Sequence, residues 1–170
     1  MRFFILLSIT FLTNGCGSFF HSRPSEKEKI ATEIQSKTAK KLKNEMGLIP
    51  FGFGGAMMYQ IKELGLTFQY NHPVDLQQAR SMLVNAVNVF LNEINSNEKV
   101  RPYLIQFPFD SKNVEIMILL RNPDRSKVDR EELSLIVCEK GILKYKTYDA
   151  DSYLLTTIHK ETFEEAVQRL

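Results

Sequence analysis

The chain has 170 residues, 44% apolar and 25% charged, with 8 Gly and 6 Pro; this excludes a disordered, collagen-like or low-complexity chain and fits one globular domain. A formal charge of +2, from 22 Lys and Arg against 20 Asp and Glu, leaves no global field that would recruit nucleic acid or an anionic membrane. Two cysteines exclude a disulfide scaffold, three scattered histidines argue against a multi-histidine metal cluster, and no cofactor is expected.

The first residues read as an address. Met1 and Arg2 precede an uncharged, mostly apolar run of ten, residues 3–12. As a helix rising about 1.5 Å per residue, such a run reaches half of a roughly 30 Å hydrocarbon core. It is too short to span and has the length of a secretory signal. Thr13, Asn14, Gly15 and Cys16 follow. An apolar run, then small residues, then a cysteine resembles the lipobox of bacterial lipoproteins; Thr13 and Asn14 stand where that pattern has Leu and then Ala or Ser. The resemblance covers residues 1–16 only. It implies a signal peptide over 1–15, acylation of Cys16, and a cell-envelope protein held on the inner or outer bacterial membrane, on its periplasmic or surface side. Two or three acyl chains anchor stably where one is marginal. The competing reading is ordinary cleavage near Gly15 or Gly17.

Residues 16–24 read as a lipid tether, 25–58 as an N-terminal helix and an apolar Gly-rich stretch, and 59–170 as the main domain. Ser25 with Glu28 is a capping-box signature, and Gly47 is placed as the stop of a helix reaching Met46. Its apolar stripe is thin (Ile30, Ile34, Leu42 and Met46, broken by Thr38), so a solvated spacer helix is expected. Residues 46–58 carry no charge; four glycines and one proline speak against a regular strand, and burial as a loop wrapped on the core is expected. The rival reading makes this stretch a contact element through Phe51 and Phe53.

Leu64, Leu66, Phe68 and Tyr70 alternate as a half-buried strand. Asp75 with Gln78 caps a second helix, whose apolar residues keep helical spacing from Leu76 to Ile94. Val114, Ile116, Ile118 and Leu120 alternate with Met117 and Leu119 between them, which predicts a central strand covered on both faces. Strands at 133–138 and 142–148 flank a hairpin signal at Lys140 and Gly141. A last strand is expected near 153–158, then a short C-terminal helix. The class is α+β: a mostly antiparallel sheet of about 4–5 strands, one long helix and a short C-terminal helix packed on it, preceded by the N-terminal helix.

Candidate chemistry is sparse. No G-x-S-x-G, H-E-x-x-H, P-loop or S-x-x-K pattern occurs. Asp149 and Asp151 start like a calcium loop, but Leu154 and Lys160 stand where the Gly and Glu should be, so a turn is expected. Cys138, after an apolar run, is expected to be a small buried hydrophobe. The segment 101–110 holds Tyr103, Phe107, Phe109 and two prolines, a stiff crossover that also offers an aromatic contact. These features fit a non-catalytic, lipid-anchored binding or assembly module with an envelope protein or peptide partner. The alternative is a small envelope hydrolase whose carboxylate and histidine site no motif marks.

Overall fold

The computed structural model describes residues 23–149 and 154–170. The expected signal peptide, Cys16 and most of the expected tether lie outside the described residues, as does Asp151. The elements run α1 (Glu26–Met46), β1 (Ile49–Ala56), β2 (Glu63–Tyr70), α2 (Leu76–Asn95), β3 (Val114–Leu120), β4 (Leu135–Glu139), β5 (Ile142–Tyr148), β6 (Leu155–Thr162) and α3 (Phe163–Gln168). Both expected capping boxes form. Ser25 accepts from the Glu28 amide and Asp75 from the Gln78 amide, and each partner side chain reaches back to the cap. Gly47 ends α1 at φ 69°, the left-handed conformation that costs glycine little.

The six strands form one open sheet in chain order, every neighbouring pair antiparallel except β2 with β3. Parallel neighbours need a long crossover, and α2 supplies it. The β4–β5 hairpin turns through Lys140 and Gly141 at φ 52° and 74°, the two left-handed residues that a two-residue turn requires. All three helices lie on one face of the sheet, where Leu64, Leu66 and Phe68 of β2, Ile116 and Ile118 of β3, Ile136 of β4 and Tyr145 of β5 are buried. Full burial of such a side chain contributes about 1.5–3 kcal/mol.

Four expectations are corrected. Among the described residues there are six strands, not 4–5, because residues 49–56 form an edge strand in spite of their glycines. Pro50 is tolerated there since an edge strand pairs on one side only, and a register shift between Pro50 and Gly52 accommodates it. Second, α1 is no solvated spacer. Ala31, Gln35, Thr38 and Ala39 are buried beside Ile30, Ile34 and Leu42, and the helix packs on β1, β2 and α2. The polar pair is satisfied internally: Thr38 donates to the Ile34 carbonyl at 2.9 Å, and Gln35 Nε2 donates to the carbonyls of Gly54 (2.7 Å) and Gly65 (2.9 Å).

Third, β3 is covered fully on one face only. Val114, Ile116, Ile118 and Leu120 are buried, whereas Glu115, Met117 and Leu119 opposite them are half-buried. Fourth, the stretch 46–58 is not wrapped on the core. Leu48 is buried and Met46 and Met57 pack against the core, but Phe51, Phe53 and Met58 are exposed. The last strand also begins at Leu155 and runs further than expected, to Thr162.

Candidate functional site

The largest group of exposed apolar residues lies along β1 and the loop that follows it. Phe51 is 69% exposed and Phe53 47%. Phe53 pairs with Leu66 on the helix-bearing face, but at the rim of the sheet, where nothing lies beyond it. Met58 and Tyr59, in the bend between β1 and β2, are 84% and 88% exposed. The other edge strand, β6, also shows Leu155 and Ile158, yet it carries Lys160, a charge of the kind that guards sheet edges. Along β1 no side chain is charged. An unguarded apolar edge invites a further strand or an apolar partner.

The second expected contact segment meets the first. Ile61 N–H donates to the Tyr103 carbonyl at 2.8 Å, and Ile105 N–H donates to the Ile61 carbonyl at 3.0 Å. Residues 103–105 therefore run beside the end of the β1–β2 loop, which brings Ile105 and Phe107, both exposed, to the same end of the sheet. Arg101 lies over the Phe107 ring, its guanidinium carbon 4.2 Å from the centroid. Tyr103 is half-buried against the core. Phe109 is buried, its backbone clamped by the Asn95 side chain through Phe109 N–H to Oδ1 (2.8 Å) and Nδ2 to the Phe109 carbonyl (2.9 Å). It packs the crossover down, as the stiff-crossover reading expects, and its ring is not offered at the surface. Of the named candidates, Phe51, Phe53 and Phe107 are exposed, while Cys16 lies outside the described residues. Met58, Tyr59 and Ile105 were missed, for no pattern of spacing separates an exposed bend from a buried one.

A polar cluster lies at the opposite edge of the sheet. Glu161, its side chain 1% exposed, accepts at Oε1 from Arg80 Nε (2.8 Å) and Tyr145 Oη (2.7 Å), and at Oε2 from Arg169 Nη1 (2.9 Å). His159 Nε2 stands 3.8 Å from Oε2, and the Tyr145 and His159 rings are 5.5 Å apart. Burial alone raises the Glu161 carboxyl, but the hydrogen bonds from Arg80 and Tyr145 and the guanidinium charge outweigh it and hold the group below its ordinary value. Burial and the bond to Glu161 push the Tyr145 hydroxyl well up. A carboxylate with both oxygens bonded and its side chain almost wholly buried ties α2, β5, β6 and the C-terminus together. Nothing in its geometry presents it as a general base to a substrate.

Cys138 is fully buried in β4, and burial pushes its thiol up to about 12, the opposite of what a nucleophilic thiolate needs. A depression of about 460 Å³ between α1 and the end of α2 is lined by Glu33, Lys37, Glu93 and Lys99. Glu93 there is ion-paired with Lys37 (2.8 Å) and Lys41 (3.6 Å). Among the described residues no three His, Cys, Asp or Glu side chains gather as metal ligands, and no helix is long and apolar enough to cross a membrane.

The fold is thus an open-faced α+β sheet with all its helices on one side, and its most distinctive surface is an apolar edge. No protein family, curated protein or solved structure matches the chain.

Proposed function

We propose that this is a lipid-anchored cell-envelope protein whose domain is a non-catalytic binding or assembly module, meeting an envelope protein or peptide along β1. The observation that carries the reading is a charge-free edge strand with Phe51 and Phe53 held out in water. An isolated monomer gains nothing from that arrangement, while a partner strand or apolar side chain gains both main-chain hydrogen bonds and buried area. The lipobox-like run ending at Cys16 supports the anchor, and the described fold begins only seven residues beyond it. The double change Phe51→Ser, Phe53→Ser tests the surface. Exposed substitutions of this kind shift stability by less than about 1 kcal/mol, against about 3–5 kcal/mol for truncating a core Phe. The melting temperature is therefore expected to hold nearly constant, while recovery of the partner from native membranes is lost. A partner retained by the double variant, or a collapse of the melt, contradicts the proposal.

A further inference from the structure

We propose that Met58 and Tyr59, the tip of the β1–β2 loop, form a second and non-covalent lipid contact, inserted into the interface of the same membrane that holds the N-terminal anchor. This rests on the anchor proposed above and goes beyond it: the domain has a fixed orientation on the lipid instead of swinging freely from its tether.

Three observations lead there. First, Met58 and Tyr59 are the most exposed large apolar side chains among the described residues, and their loop is held in place. Lys62 N–H donates to the Ala56 carbonyl at 2.7 Å, and Ile61 is bonded on both sides to residues 103–105. A fixed tip loses little conformational freedom on insertion. Second, the tip sits at the start of α1. Lys27, in the first turn, donates its Nζ to the carbonyls of Met58 (2.8 Å) and Tyr59 (3.2 Å). These two carbonyls enter a less polar medium already hydrogen-bonded, which removes the main cost of placing a bend there. Third, Lys27 in the first turn of α1 stands eleven residues after Cys16, a reach of roughly 40 Å at most. With the acyl chains in the bilayer, the first turn of α1 stays near the lipid, and the tip with it.

The chemistry of the tip suits the interface. Tyrosine places an apolar ring and a polar hydroxyl at headgroup depth, and methionine adapts to irregular apolar surroundings. No acidic residue occurs from 46 to 62, and Lys62 and Arg101 flank the loop in sequence and through its pairing with residues 103–105, where they meet lipid phosphates. The acids of the first turn of α1 are Glu26 and Glu28, and Glu28 is engaged in the Ser25 cap.

The chain has no tryptophan, so Tyr59→Trp installs a single fluorophore in the full, lipidated protein. It is reconstituted into vesicles of phosphatidylcholine with some phosphatidylglycerol, with and without brominated acyl chains. Ile158→Trp, on the opposite edge strand, is the control. The expected result is a blue-shifted emission and roughly half or more of the signal quenched by brominated lipid for Trp at 59, with no quenching at 158. Adding Met58→Asp to the Tyr59→Trp chain should abolish the quenching. Protein that floats with the vesicles while Trp at 59 emits as in water overturns the inference and leaves the anchor standing; the tip then belongs to the protein-binding edge. Protein that does not float at all overturns the anchor, and the inference with it.

Discussion

The Glu161 carboxylate accepts from Arg80 and Tyr145 on one oxygen and from Arg169 on the other, in a site water scarcely reaches. Because the folded carboxyl titrates below the ordinary 4.5, the folded protein binds this proton less readily than the unfolded chain. The stabilisation is complete above about pH 4.5 and is lost as the pH falls through the folded value. Glu161→Gln leaves the Arg80 guanidinium buried without its counter-charge, a change that costs about 3–5 kcal/mol in comparable pairs. Arg169, half in water, adds less. Urea unfolding at pH 7 should show that loss, and the difference between variant and wild type should shrink toward pH 4. Equal midpoints at pH 7 would sink the account of this cluster. Little of the cluster was legible in the sequence. Alternation places His159 and Glu161 near one another, but Arg80 stands 81 positions away and meets them only through the packing of α2.

Edge strand β1 and helix α1 pack as one unit, pinned by a buried side chain. Gln35 bridges the carbonyls of Gly54 and Gly65, which face one another in the β1–β2 register. Gly55 is as demanding: its φ is +150°, and a Cβ there would lie 2.6 Å from the Glu63 carbonyl oxygen. Gly55→Val is therefore expected to strain the pairing by about 1–3 kcal/mol. Amide exchange should rise in β1 and the start of β2 while α2 and β3 keep their protection; unchanged exchange in β1 contradicts this. The elements that sequence reading found are those whose signals are local. They are the boxes at Ser25 and Asp75, the stop at Gly47, the turn at Lys140 and Gly141, and the long amphipathic α2. What it missed depends on neighbours. Three glycines weaken a strand in isolation, yet here Gly55 lets β1 lie close against β2. Ala31, Gln35 and Ala39 look like a polar interruption until β1 and β2 cover them.

At the scale of the whole molecule, two segments far apart in the chain, 46–58 and 101–109, end side by side at one end of the sheet. The Met58 and Tyr59 tip there is bonded to the first turn of α1, which places it where the tether enters the fold. The sequence marked both segments as unusual but not as neighbours, because the Ile61–Leu104 bridge is fixed by the crossover and not by any local pattern. The proposed function joins an anchor, a short tether and an apolar edge in one arrangement, and the anchor is the claim on which it turns. Intact mass of the mature protein purified from its native membrane tests that claim most directly. The account predicts a chain beginning at Cys16 and carrying acyl mass, which Cys16→Ser releases from the detergent phase into the aqueous phase. A mature chain that begins elsewhere, or that begins at Cys16 without acyl mass, contradicts it.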